Sequence, residues 1–342
     1  MGADGPGGRG LTFGYLYDFR NPGPWRRPWN DVYRETLDLV TWSEAAGFHG
    51  AWVPEHHGAE DGYLPTPNIA LAAMAARTST IRIGAAVAIA PLYHPVRFAE
   101  ECAVLDILSS GRLETAVAIG YRRREYDMQG ASFAQRGSRL DEFLRIVRAL
   151  WAGETVNFSG RHYNIRNARI VPSSFRGRIP IYIGGFTERA LERVADHADG
   201  YLGNAEVYDL YVEKLRQRGK DPGSAAIRVP GLFLTVAEDP EKAMEELGPY
   251  YHHVFTSYGA WMGEDNALGM ENPALAPMDL KTFKQSGIMQ ILTPEQAVAH
   301  FNAMRTRMRL EHFMMMRPPG LPAERFIDYA QLFADKVIPA FR

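Results

Sequence analysis

From Leu11 onward, short β-rich runs alternate with longer helical patterns, which limits the chain to folds built from βα units around a parallel sheet. Eight runs read as strands: 11–17, 50–53, 81–89, 113–119, 180–184, 200–202, 228–236 and 312–316. Helical patterns occupy 31–46 (stopped by Gly47), 68–76, 95–108, 136–151 and 323–336. Three more helices start at Thr187, at Asp239-Pro240-Glu241 and at Thr293-Pro294-Glu295, each pairing a cap residue with an acid or proline in the first turn. The near-continuous apolar character of 81–89 predicts a strand buried on both faces. Segments 153–178 and 248–287 fit no simple βα unit and read as irregular inserts. Eight units in 342 residues predict an α/β fold of the (β/α)8 TIM-barrel type with insertions, a single domain over 11–342, in preference to two Rossmann halves.

Residues 1–10 read as a flexible tail with neither the apolar core of a secretion signal nor the Ser or Thr of a myristoylation motif, since Pro6 stands there. The tail matches G-x-G-x-x-G from Gly5 to Gly10, but that motif binds dinucleotides only after a strand, and here it precedes the first one. Lys and Arg number 38 against 40 Asp and Glu, so no basic surplus exists for a nucleic-acid backbone or an anionic membrane. The longest apolar run, 83–92, is about half of what a bilayer span requires. The lone Cys102 allows neither an intrachain disulfide nor a Cys-rich metal cluster and suits a reducing cytoplasm. G-x-S-x-G, P-loop and kinase signatures are absent, which removes the usual supports for acyl transfer and nucleotide hydrolysis.

Barrel enzymes carry their chemistry where strands end at the C-terminal face. After the second run comes Trp52-Val53-Pro54-Glu55-His56-His57-Gly58; His56 there can exchange protons near neutrality, with Glu55 biasing its charge state, although a structural hydrogen-bonded histidine fits the same position. Adjacent histidines on an extended strand do not converge on one ion and H-E-x-x-H is absent, so no metal site is expected. After the fifth run, Gly184-Gly185-Phe186-Thr187 offers close backbone approach and a helix start to a phosphate, or is simply a tight turn. After the fourth, Gly120-Tyr121-Arg122-Arg123-Arg124 offers guanidinium groups, a solvated surface run being the alternative. Aromatic residues in expected loops are Phe19, Trp25, Trp29, Tyr63, Tyr126, Tyr258 and Trp261, of which Phe19, Trp25, Tyr63 and Trp261 are the candidate substrate-lining set. His252-His253 has no nearby carboxylate in sequence and reads as helical surface or loop, and Met314-Met315-Met316 reads as core.

Taken together, these segments resemble the bacterial-luciferase-like flavin-dependent oxidoreductases over nearly the whole chain from Leu11. The most specific stretches are Trp52-Val53-Pro54-Glu55-His56-His57, the run from Ile83 through Ala90-Pro91-Leu92-Tyr93-His94-Pro95 to Glu101, and Leu105-Asp106-Ile107-Leu108-Ser109-Ser110-Gly111-Arg112. Gly120-Tyr121 with Glu125-Tyr126, and the run from Ile179 to Gly185, add to it. The resemblance implies a barrel that binds reduced FMN, reacts with O2 and uses a C4a-peroxyflavin to oxidise an apolar, carbonyl-containing or aromatic small molecule. It further implies a separate NAD(P)H-dependent flavin reductase, a cytoplasmic location and a homodimer. By the same resemblance His56 falls on the luciferase histidine that supports catalysis, with Glu55 tuning it. Ala86-Val87 falls where the family often has a non-prolyl cis peptide beneath the flavin ring. Gly184, Gly185, Phe186 and Thr187 fall on the ribityl-phosphate segment.

Where luciferase has a phosphate-binding arginine and a reactive cysteine, this chain has Ile119 and Ala118, and Phe186 replaces an acidic residue. Phosphate charge is then expected to be met by Arg122 and the helix start at Thr187. No light emission is expected. Relatives on this fold also use the deazaflavin F420 for hydride transfer, which is the alternative reading, followed by a noncatalytic flavin-binding subunit.

Overall fold

Strands that are apolar on both faces need helices outside and one another inside, and a closed parallel barrel meets both needs. The computed structural model describes residues 10–264 and 276–342. The expected tail, apart from Gly10, and part of the 248–287 insert therefore lie outside the described residues. In chain order the elements are β1 (Thr12–Leu16), α1 (Trp29–Ala45), β2 (Gly50–Val53), α2 (Pro67–Arg77), β3 (Arg82–Ala85), β4 (Ala88–Ile89), α3 (Pro95–Leu108) and β5 (Thr115–Ala118). Then follow α4 (Arg123–Met128), α5 (Arg136–Trp151), β6 (Val156–Ser159), β7 (Asn164–Ala168), β8 (Ile181–Gly184), α6 (Glu188–His197), β9 (Gly200–Leu202) and α7 (Tyr208–Arg216). The chain continues through β10 (Ala226–Pro230), β11 (Leu234–Val236), α8 (Pro240–Gly263), α9 (Leu280–Gln285), β12 (Gln290–Leu292), α10 (Pro294–Arg307), β13 (Arg309–Met316) and α11 (Ala323–Lys336).

The main sheet runs β3-β2-β1-β13-β10-β9-β8-β5-β4, with every neighbouring pair parallel. The run expected as one strand over 81–89 is divided into β3 and β4 by a cis peptide between Ala86 and Val87. A bridge from Ile83 to Leu113 joins the two edges, so eight positions close the barrel, as the alternation of runs predicts. The 228–236 run is also divided: β10 stays in the barrel, while β11 leaves to pair with β12. The break falls at Gly231, where a Cβ would lie 1.9 Å from Phe313 Cζ. The 153–178 insert contains an antiparallel hairpin of β6 and β7, its turn tied down by Glu142, which accepts from Arg161 N, His162 N and Tyr163 N at 2.7, 3.0 and 3.1 Å.

Side chains alternate across each strand, so one set fills the barrel and the other meets the helices. Leu16, Trp52, Ala116, Tyr182, Leu202, Met314 and Met316 pack together inside, whereas Phe13, Ile83, Ile183 and Met315 belong to the shell under the helices. Polar groups share the interior because each is partnered. Arg228 donates to Glu114 Oε2 (2.5 Å) and to Tyr182 Oη (2.6 Å). Trp52 Nε1 donates to His312 Nε2 at 2.9 Å, and burial pushes the His312 pKa well down, so this histidine is a neutral acceptor. The expected helix starts are built as their caps dictate: Thr187 Oγ1 accepts from Ala190 N, Asp239 from Lys242 N, and Thr293 forms a reciprocal capping box with Gln296. Each is worth about 1 kcal/mol. Among the described residues no helix is long and apolar enough to cross a membrane.

α8 overturns the expectation that order ends near Gly248. It runs on for 24 residues through Gly248 and Pro249, and its buried stripe Leu247, Tyr251, Val254 and Phe255 outweighs the hydrogen bond a proline removes. Val254 joins the cluster inside the barrel, so this helix lies across the C-terminal mouth.

Candidate active site

The chain leaves β2 extended, and neighbours in an extended chain point to opposite sides. Glu55 and His57 therefore share one side and His56 takes the other. Glu55 Oε1 lies 3.0 Å from His57 Nε2 and accepts from Tyr93 Oη at 2.9 Å, while Oε2 accepts from Ile89 N at 2.7 Å. This corrects the expected pairing of Glu55 with His56. The carboxylate on His56 is Glu125, from the first turn of α4, with Oε1 2.8 Å from His56 Nδ1. The same oxygen accepts from His57 N (3.1 Å) and Arg122 Nη1 (3.3 Å). Burial pushes the His56 pKa down, and Arg122 and Arg20 add to this against the pull of Glu125. His57 moves the other way: burial lowers its pKa, but the hydrogen bond and charge of Glu55 leave it raised. Burial disfavours the charged form of Glu125 too, yet the bonds from His56 and His57 N and the charge of Arg122 hold its carboxyl below the usual range.

Aromatic rings enclose the His56 imidazole. Tyr63 stacks on it at 4.7 Å and 25°, Trp261 tilts over it at 5.0 Å, and Tyr121 and Tyr258 present edges at 5.8 and 6.1 Å. Tyr258 and Trp261 come from α8, and Tyr63 Oη lies 2.7 Å from Tyr258 Oη. The guanidinium of Arg20 sits 4.7 Å from the Tyr63 ring, and that of Arg122 sits 4.4 Å from the Trp261 ring. Arg20 donates to Asp61 (2.6 Å) and Ser257 Oγ (2.7 Å), and His253 Nε2 lies 2.9 Å from Asp61 Oδ2. The His252-His253 pair was expected to lack a carboxylate; Asp61, 192 positions earlier in the chain, provides one. These bonds fasten α8 to the loops after β1 and β2.

Two of the four expected substrate-lining residues, Tyr63 and Trp261, meet at His56. Phe19 is buried against Tyr33 at 4.8 Å, and Trp25 rests on Tyr250 at 4.5 Å, with only its edge toward His253. Arg122 was expected to lie on the surface or to meet a phosphate. It is 1% exposed and committed to Glu125, His57 O and Glu264, because a buried guanidinium requires carboxylate and carbonyl partners. A cavity of about 660 Å³ opens beside Glu55 and His57 between α2 and α3, and His56 is not among its lining residues.

The second half of the mouth has a different chemistry. A Cβ on Gly184 would lie 3.1 Å from Val87 Cγ1 and 3.6 Å from Ala118 Cβ, so Ala86, Val87, Ala118 and Gly184 make a smooth wall of small groups. Gly185 has φ +140°, and a Cβ there would fall 2.7 Å from that of Ala190. Tyr201 Oη donates to Gly185 O at 2.9 Å, and Thr187 then opens α6, whose first N–H groups have no partner within the helix. Phe186 is 62% exposed. Gly120, at φ +65°, carries the chain out of β5 toward Tyr121, whose buried Oη has no hydrogen-bond partner among the described residues. A flat small-residue wall and a glycine turn into a helix start fit a planar ring carrying a phosphate tail. Among the described residues no group of three or more His, Cys, Asp or Glu is arranged to hold a metal ion.

Glu125, Arg20 and Asp61 were not singled out from the sequence as site residues, and His253 reads there as helical surface or loop. Only Glu125-Tyr126 gave a signal, as part of the family resemblance.

The family model described as luciferase-like monooxygenase matches residues 11–330. The oxygenase component of a flavin-dependent trigonelline monooxygenase from Acinetobacter baylyi is 33% identical over 69% of this chain and 68% of its own. An F420-dependent glucose-6-phosphate dehydrogenase from Mycolicibacterium fortuitum is 30% identical over 90% and 94%. An uncharacterized Sinorhizobium fredii protein, 33% identical, is matched over only 46% of its length. A monooxygenase crystal structure from Streptomyces bottropensis superposes with TM-score 0.78 at 23% identity, over 96% of this chain and 99% of that one, a likeness of fold.

Proposed function

Because this chain belongs to the luciferase-like monooxygenase family, we propose that it is the oxygenase component of a two-component system. FMN reduced by a separate NAD(P)H-dependent reductase would supply the electrons that let one atom of O2 enter an apolar, carbonyl-containing or aromatic small molecule while the other leaves as water. The protein's part is to bind, orient and keep water out. Ala86, Val87, Ala118 and Gly184 would face the ring, and the N–H groups after Gly185 would take the phosphate. Tyr63, Tyr258 and Trp261 would meet the substrate and exclude water. His56 would hold or move the proton that the oxygen chemistry requires.

The observation that carries this reading is a single buried histidine, enclosed by four aromatic rings and paired to one carboxylate, at the barrel mouth. F420-dependent hydride transfer is the second reading, favoured by the dehydrogenase relative that aligns over 90% of the chain. A homodimer in the cytoplasm is the setting we infer from the family.

Anaerobic titrations with reduced FMN and with F420, side by side, separate the two. We expect FMN to bind at least tenfold more tightly, and a substrate panel with isotopically labelled O2 to give product carrying one labelled atom. Preferential F420 binding, with oxidation of substrate under nitrogen, overturns the proposal. Product formed by the isolated chain with added reduced FMN excludes a noncatalytic subunit.

A further inference from the structure

The carboxylate on His56 comes from 69 residues away, and its geometry decides which imidazole nitrogen is free. We propose that Glu125 is a positioning residue: its Oε1 fixes His56 as the Nδ1–H tautomer, leaving Nε2 unprotonated and able to accept a proton in turnover. The assignment of that proton to turnover rests on the function proposed above; the tautomer does not.

Three observations carry it. An ionised carboxylate only accepts, so a nitrogen 2.8 Å from it bears the hydrogen. Glu125 is fully buried, and its Oε1 is held by His57 N and Arg122 Nη1 as well, donors from two different segments, so it cannot follow a rotating ring. Tyr63 stacks on the imidazole and Trp261 tilts against it, contacts that resist the flip that would exchange Nδ1 for carbon. Glu55, the sequence neighbour, is excluded because its two oxygens are occupied by His57, Tyr93 and Ile89 N.

The charged and titratable groups around His56 are Glu125 and Arg122 by α4, Arg20 after β1, Tyr63 after β2, Tyr121 after β5 and Tyr258 on α8. Two arginines oppose an imidazolium here, and Glu125 is the carboxylate in contact that offsets them. Glu125→Gln removes that offset. Its amide oxygen, facing the donors His57 N–H and Arg122 Nη1, still accepts from Nδ1–H, as a carboxylate oxygen of Glu125→Asp would, whereas Glu125→Leu leaves no acceptor at all.

NMR of histidine labelled with heavy nitrogen in both ring positions tests this directly, the His56 signals being assigned by their loss in His56→Gln. In the unmodified protein at pH 7 we expect a protonated Nδ1 and an unprotonated Nε2. A protonated Nε2 overturns the proposal, without recourse to activity. In Glu125→Leu we expect the pattern to reverse or mix and turnover to fall at least tenfold, with reduced-FMN affinity within threefold. Glu125→Asp should retain the pattern and recover part of the rate. An unchanged nitrogen pattern in Glu125→Leu also overturns it. If the tautomer is as stated but the protein turns over no flavin substrate, it is the proposed function that fails.

Discussion

The two halves of the barrel mouth meet their ligands by opposite means. On the β2 side, the polar side chains near His56 are tied to one another: Glu125 to Arg122, Arg20 to Asp61, Tyr63 to Tyr258. On the β8 side, Gly184 to Thr187 offers backbone and one capping hydroxyl, beside an exposed Phe186. A side chain that must present one nitrogen in one protonation state has to be over-determined, because an imidazole has two nitrogens and free rotation. Backbone N–H groups at a helix start already point one way, so an anion seat needs only the absence of side chains. Substitutions on the first side should therefore change rate, and on the second, affinity.

The largest effect expected is on the first side. His56→Ala should lower the rate of coupled product formation by about 10²–10⁴-fold, the usual range for a lost proton-transfer group. Reduced-FMN affinity should stay within a few-fold, since no phosphate or ring contact is assigned to this side chain. Equal losses in rate and affinity would erase the distinction between the two halves.

A smaller effect concerns stability. Burial raises the Asp18 carboxyl from 3.8 to about 6, against the pull of Arg20 and Arg317, and Asp18 Oδ1 accepts from Arg20 N at 3.1 Å. The folded state thus binds this proton more tightly than the unfolded chain. The contribution is fully present below about pH 4 and is lost as pH rises through about 6. Asp18→Asn, neutral throughout and still an acceptor for Arg20 N, should match the unmodified protein at pH 4 and be more stable at pH 8 by ~1–3 kcal/mol. Denaturant midpoints at the two pH values check it, and a gap that is equal at both would show that Asp18 acts by packing alone.

The barrel itself is legible in the sequence because its signals are local: β2 and β9 fall where alternation places them, and Thr187, Asp239 and Thr293 cap where they should. The glycine turn after β8 is legible for the same reason. The His56 side is only half legible. Proximity in the chain favours Glu55, but the two-residue period of an extended segment sends Glu55 to His57, and nothing within 60 residues announces Glu125. Arg20 with Asp61 and His253 is likewise a product of closure, as is the continuation of α8 past Pro249. What the helix rules read as a stop is overridden by a buried stripe that exists only once the barrel is there to bury it.

The smallest effect sharpens the comparison most. Thr187 Oγ1 lies 3.2 Å from Ala190 N, which it accepts as the cap of α6. If the phosphate is held by backbone, Thr187→Ala should cost about 1 kcal/mol of stability through the lost cap. Reduced-FMN affinity should then fall less than tenfold, because the N–H groups of the helix start remain while the helix frays slightly. The rate at saturating cofactor and the His56 nitrogen pattern should not move. An affinity loss beyond a hundredfold with stability intact would mean that the hydroxyl turns from Ala190 to the phosphate on binding. The β8 side would then depend on a side chain after all, as the β2 side does.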